Sequence, residues 1–209
     1  MMAQSADDLD VTGLFSETAG AGEDAMARLR ARLAADAEAA GILDVAYRTV
    51  DSPVGVLLLA ATGEGLVRVA YASEDHDRVL GQLAARVSPR VLLAPGRLDP
   101  AARELDEYFA GRRTSFDLPL DLRLSNGFRR VVLTHLTGIA YGSTASYSGV
   151  AAAAGHPNAV RAAATACSTN PLPVVVPCHR VIKSDGTLGK YVGGPDVKRV
   201  LLTLEGAAV

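Results

Sequence analysis

Asn170-Pro171-Leu172-Pro173-Val174-Val175-Val176-Pro177-Cys178-His179-Arg180-Val181 is the stretch on which the reading of this chain turns. Its prolines cannot continue a helix, because proline lacks the amide hydrogen and drives the preceding residue into extended conformations. The segment therefore reads as a stiff element that holds Cys178 in a fixed place. A thiol attacks only as thiolate, and the adjacent His179 and Arg180 are groups that favour or generate that form. Neighbours in an extended chain point to opposite sides, so His179 is expected to reach Cys178 only through a water. Taken alone, the dipeptide also fits a buried structural Cys-His pair.

Working upstream, a helix is expected near residues 146–154, a break at Gly155-His156-Pro157, and a second helix near 158–168. Two short helices about a tight turn make a helix-turn-helix candidate, and equally a bare helical hairpin. Within the second helix Ala159, Val160, Ala162, Ala163, Ala164, Thr165 and Ala166 leave Arg161 as the one long side chain. Reading base edges takes Arg, Asn, Gln or Lys in the groove, and here only Asn158 and Arg161 qualify. Such a helix either approaches a groove closely without reading much sequence, or is a buried Ala-rich helix. Cys167 has no base beside it and is expected to pack as a small hydrophobe. Further upstream, Phe128, Val131, Val132, Leu136 and Ile139 recur at helical spacing, predicting a helix over residues 125–137.

The first half follows a different pattern. Apolar runs at residues 43–50, 54–62 and 65–71, separated by Asp51-Ser52-Pro53 and Gly63-Glu64-Gly65, read as hairpin-connected strands. Helices are expected over 76–85 and 100–110, and a connector over 117–123. Residues 1–42 form an acidic leader with a helix over 22–40 and no evident chemistry. Three segments result: a leader (1–42), a small α/β module (43–122) and a mainly helical domain (123–209).

At 209 residues, 49% hydrophobic and 21% charged, the chain can bury a core without metal or disulfide support. Its two cysteines lack zinc-site spacing. No apolar run long enough to span a bilayer and no secretory signal occurs, so a cytoplasmic protein is expected. The net charge of −2 hides an asymmetry, since residues 123–199 carry nine Lys or Arg against two acids. A local basic face of that kind suits a polyanion despite a pI near 6.1.

PCHRV, preceded by NPLPVVV and followed by IKSDGTLGKYVGG and KRVLLTLEG, resembles the active-site region of the O6-alkylguanine-DNA alkyltransferases, also called methylated-DNA–protein cysteine methyltransferases. The likeness runs from about Leu43 to Gly206, with DSPVG similar to the family's early hairpin. It implies a ribonuclease-H-like α/β module with a small antiparallel sheet, and a mainly α domain with a winged helix-turn-helix-like DNA-binding element. It implies a single-turnover repair reaction in which Cys178 takes the alkyl group from O6 of a flipped guanine, and O4-alkylthymine as a further substrate.

The resemblance also implies roles. His179 acts as base through water, Glu205 orients it, Tyr191 donates a proton towards the leaving guanine, and Asn170 ties the helix-turn-helix to the cysteine segment. Arg161 fills the space left by the flipped base and Tyr147 crowds the target phosphate. Asn158, Ala159, Ala162, Ala163 and Thr165 face DNA, while Pro173, Val181, Val192, Gly193 and Gly194 wall the base pocket. Neither cofactor nor metal is implied; the partner is double-stranded DNA carrying alkylated guanine, met by a monomer that does not engage membranes. Ala164, Thr165 and Ser168 depart from the family pattern of glycine and a basic residue, which implies weaker DNA contact. The alternative from another class is a non-catalytic lesion-binding protein. A Cys-His hydrolase lacks an oxyanion site and a third triad member here.

Overall fold

The computed structural model describes residues 11–207. By packing, the chain divides into Met1–Ile42 and Leu43–Val209. The first unit consists of helix α1, Val11–Ala39, which starts well before the expected residue 22. Gly13 and Gly20 each cost about 1 kcal/mol in a helix, too little to end one. Residues 1–10, the acidic start of the expected leader, lie outside the described residues.

The second unit opens on a four-stranded sheet in the order β3-β2-β1-β4, formed by β1 (Val45–Val50), β2 (Leu57–Thr62), β3 (Gly65–Tyr71) and β4 (Val91–Leu93). The first three strands are antiparallel, as the hairpin pattern predicts. β4 runs parallel to β1, with Ala46 beside Leu92, so the sheet is mixed and not purely antiparallel. At three residues, Val91–Leu93 is too short to show an alternation in sequence. Helix α2 (His76–Arg86) lays Val79 and Leu83 against Val45, Leu58, Ala60, Val67 and Ala70, which form a core under the sheet. Helix α3 (Asp99–Phe109) buries Ala101, Glu104, Leu105 and Tyr108, a stripe at helical spacing that includes two polar groups.

The connector over 117–123 is more ordered than expected. The amide of Leu66 donates to the carbonyl of Pro119 at 2.8 Å, and that of Asp121 to Leu66 at 2.9 Å. The segment thus continues the sheet beyond β3. Gly65, at φ 137°, permits this approach, since a Cβ there would lie 2.2 Å from the Pro119 oxygen.

Helices α4 (Gly127–Leu136), α5 (Tyr147–Ala153), α6 (Val160–Ser168) and α7 (Gly194–Leu204) follow, with a short parallel pair β5 (Ala145–Ser146) and β6 (Val181–Ile182). The α4 stripe is rotated from its expected place: Val132, Leu133 and Leu136 are buried, whereas Val131 is exposed. Residues 171–180 are buried throughout. Within them Val174 sits at φ 71°, a left-handed conformation that a β-branched residue adopts only when its surroundings hold it there.

Candidate active site

Cys178 begins a 3-10 turn, Cys178–Arg180, at the end of the proline-bounded segment. Asn170, just beyond the C-terminus of α6, fixes that segment. Its Oδ1 accepts from the Leu172 amide at 2.9 Å, and its Nδ2 donates to the Val176 carbonyl at 2.8 Å and to Cys178 Sγ at 3.1 Å. One side chain therefore couples the helix to the sulfur and supplies a hydrogen bond that favours thiolate.

His179 is 0% exposed, and its Nε2 lies 2.8 Å from Glu205 Oε1. Arg180 donates to the same carboxylate from Nε at 2.8 Å and Nη2 at 2.9 Å, the Tyr108 hydroxyl donates at 2.7 Å, and the Gly142 amide at 3.3 Å. Burial works to raise the Glu205 carboxyl, but the hydrogen bonds from His179 and Arg180 outweigh it and hold it at about 2. An ionised carboxylate only accepts, so the imidazole hydrogen belongs on Nε2 and Nδ1 keeps its lone pair. Nδ1 is one of few buried polar atoms without a hydrogen-bond partner among the described residues. Burial lowers the His179 pKa below 6.5 against the pull of Glu205, so the ring is a neutral base at pH 7.

The thiol is neutral as well. Burial, with Cys178 2% exposed, pushes it up to about 11, opposed by the Asn170 hydrogen bond and by the charge of Lys198. Lys198, wholly buried on α7, donates Nζ to the carbonyls of Val181 and Leu188. Burial brings it down to about 8, against the pull of both cysteines. Arg180, expected from sequence as a group favouring thiolate, turns instead to Glu205 and the Ile139 carbonyl.

Tyr191 is buried at this site, its ring 6.3 Å from that of His179. Gly193 rests on the ring of Tyr71, and Gly194 opens α7. Val192 lines a cavity of about 280 Å3 together with Asn170, Arg68 and Glu74; Cys178 is not in its lining. Pro173 and Val181 are buried, the latter within β6 and placed here by its carbonyl contact with Lys198.

Two expected DNA-facing residues are placed otherwise. Ala163 is fully buried, since it shares the inner stripe of α6 with Ala166 and Cys167. Tyr147 is buried too, with its hydroxyl 3.4 Å from the Lys190 carbonyl and its ring 5.9 Å from Lys198 Nζ, so it faces the loop around Gly189 and not solvent. Asn158 is exposed, but it precedes the Ala159 cap, because α6 starts only at Val160. Arg161, Ala162 and Thr165 are exposed on the outer face, and Ala159 is half-buried.

Sequence reasoning missed Tyr71, Tyr108 and the role of Lys198. The signal for Lys198 was legible: Lys198, Leu201, Leu202 and Glu205 recur at helical spacing, which puts a cation and an anion on one apolar stripe. Tyr71 and Tyr108 look like ordinary core aromatics, and nothing local marks them.

Two family profiles match this chain: the ribonuclease-like domain of 6-O-methylguanine DNA methyltransferase over residues 45–122, and its DNA-binding domain over residues 127–207. The methylated-DNA–protein-cysteine methyltransferase of Mycolicibacterium paratuberculosis is 41% identical over 161 residues, covering 77% of this chain and 92% of its own. That of Mycobacterium bovis is 41% identical over 159 residues, covering 76% and 91%. Among solved structures, the Mycobacterium tuberculosis OGT in complex with DNA superposes with a TM-score of 0.68 at 40% identity, covering 77% of this chain and 92% of that one. Fold and site together define a cysteine-acceptor protein built from a ribonuclease-like module and a helical DNA-binding module. The chain belongs to the 6-O-methylguanine-DNA methyltransferase family.

Proposed function

We propose that this protein repairs DNA by moving the alkyl group of O6-alkylguanine onto its own Cys178, once per molecule and without a cofactor. The observation that carries the reading is the state of His179, the residue next to Cys178 in the chain: neutral, hydrogen-bonded through Nε2 to an ionised Glu205, and with Nδ1 buried and without a hydrogen-bond partner among the described residues. The sulfur makes no direct hydrogen bond to the ring, so the proton passes from Cys178 to Nδ1 through a bridging water. Asn170 and Lys198 stabilise the thiolate so formed. The thiolate attacks the alkyl carbon, the carbon–O6 bond breaks, and guanine takes the electron pair.

Guanine leaves poorly as an anion, so an acid beside it lowers the barrier. Tyr191 is that donor, and Tyr147 offers a second hydroxyl, which in this structure donates to the Lys190 carbonyl at 3.4 Å. Both phenols are raised by burial and keep their protons, Tyr147 at about 12. The product is a thioether, which water does not cleave, hence the single turnover.

DNA is the partner, and the lesion reaches the site by extrusion at a cost of a few kcal/mol of unstacking. Arg161, without a side-chain partner among the described residues, fills the vacated space, while Ala162 and Thr165 on the same face allow close approach to the groove. Because Cys178 is 2% exposed, the purine reaches it only when the groups covering the sulfur give way. The protein acts as a monomer in this reading.

The test is mass spectrometry after incubation with a methylated duplex oligonucleotide. One methyl group per chain, on the peptide containing Cys178 and absent from Cys178→Ser, is expected. Turnover beyond one equivalent would replace this reading with hydrolysis, and tight binding without transfer would replace it with lesion recognition alone.

A further inference from the structure

Tyr71 closes β3 in the first module, 120 residues from Tyr191, yet the two hydroxyls lie 2.8 Å apart. The rings meet edge to face with centroids 6.0 Å apart, and Tyr71 is 2% exposed. Each hydroxyl has the other as its one hydrogen-bond partner among the described residues. A Cβ on Gly193 would come within 2.8 Å of the Tyr71 ring, so the backbone that follows Tyr191 lies directly on that ring. Tyr71 thus supports the loop from below with its ring and holds the Tyr191 oxygen with its hydroxyl.

Two hydroxyls joined by one hydrogen bond contain two hydrogens, one shared and one free to donate elsewhere. When Tyr71 is the donor, the free hydrogen is that of Tyr191, directed away from the pair. As that hydrogen shifts towards a departing base, the Tyr191 oxygen gains negative charge and the hydrogen bond from Tyr71 strengthens. A phenol that accepts such a bond is a better acid than one standing alone among apolar neighbours, whereas one that donates it is held a weaker acid, so the role requires Tyr71 as the donor.

We propose that Tyr71 is a positioning residue for the leaving-group step: it orients the Tyr191 hydroxyl and hydrogen-bonds to it while the proton passes to guanine. The proposal rests on the alkyl-transfer reading. In that step the sulfur–carbon bond forms and the carbon–O6 bond breaks, with the electron pair remaining on guanine. The proton that Cys178 gives to His179 balances the one guanine receives from Tyr191. Water carries the first away and restores the second after the base has left.

Tyr71→Phe removes the hydroxyl and keeps the ring that supports Gly193. The measurement is the single-turnover rate of transfer to Cys178 from a free O6-alkylguanine base and from its 8-aza analogue, whose electron-poorer ring leaves more readily and needs the proton less. Wild type is expected to alkylate with both. Tyr71→Phe should slow the guanine substrate by about tenfold, below the 10²–10⁴ that a whole acid–base group contributes, and the 8-aza substrate by clearly less. Its duplex affinity should match wild type, its melting temperature should fall modestly because the buried Tyr191 hydroxyl loses its one partner, and in a Tyr191→Phe background it should add no further loss of rate. Equal losses on the two substrates, or none on either, would overturn the role of Tyr71 and leave the transfer reading standing. Failure of wild type to alkylate at all would strike the transfer reading itself.

Discussion

Behind His179 the site is charged: the Glu205 carboxylate takes hydrogen bonds from His179, Arg180 and Tyr108, all of them buried. Towards the loop of residues 188–194 it presents, in place of that carboxylate, a buried cation, Lys198, and the hydroxyls of Tyr147, Tyr191 and Tyr71. Under the proposed function the difference follows from what each side handles. An imidazole needs one tautomer and one orientation at all times, which a fixed buried charge imposes. A departing base develops charge only in transit, and hydroxyls that keep their protons until then meet it without a standing desolvation cost. The two sides should consequently fail differently when altered, the carboxylate side with the larger loss of stability and the hydroxyl side chiefly in rate.

The largest effect is expected for Glu205→Gln. Loss of the tautomer and of the supported base should slow transfer by about 10²–10⁴. Arg180 would remain buried beside a neutral amide, and breaking a buried pair costs about 3–5 kcal/mol, visible as a lower denaturation midpoint. A variant of normal stability and undiminished rate would erase the contrast between the two sides. Next comes Tyr108→Phe, which removes one hydroxyl donor from that carboxylate and should cost about 1.5–3 kcal/mol of stability, the range for hydrogen bonds to charged groups. Its effect on rate should be smaller than that of Glu205→Gln, because His179 and Arg180 still hold the carboxylate. Compared with Tyr71→Phe, which should lower the melting temperature less because its partner is a neutral hydroxyl and not a charge, it sharpens the distinction.

The smallest effect concerns pH. His179 ionises below its ordinary 6.5 because burial disfavours the cation, so the base stays competent as the medium is acidified. The acid limb of the transfer rate should fall below pH 6.5, and a limb at or above it would contradict a desolvated ring. Stability carries a matching signature. Glu205 titrates at about 2 when folded against 4.5 ordinarily, so its contribution is complete above 4.5 and is lost as pH falls towards 2. Glu205→Gln should lack that loss over the same window in chemical denaturation.

How much of this was legible from residues alone depended on distance along the chain. Cys178 and His179 were legible because the prolines and the Cys-His dipeptide are local signals, whereas the roles of Asn170 and Glu205 came only through the family resemblance. The three hairpin strands were legible because Pro and Gly punctuate them. The parallel edge strand β4 and the pairing of residues 119–121 with β3 were not, since neither has a pattern of its own and both are set by where other strands lie. Ala163 was misplaced for a related reason: in a helix of mostly alanines, composition does not separate the inward face from the outward one, and only the packing of Ala166 and Cys167 decides it. Tyr71 and Tyr108 depart furthest from sequence reading. Their neighbours mark them as core, and their use depends on hydroxyl contacts across 120 and 97 positions.

The outward face of α6, with one guanidinium at Arg161 and little but methyl and hydroxyl groups at Ala162 and Thr165, offers a duplex almost no vocabulary. A protein that touches the groove in this way has no preferred address in a genome. Under the proposed function it would inspect nucleotides one after another, and only the chemistry of a single swivelled base would tell sound from damaged.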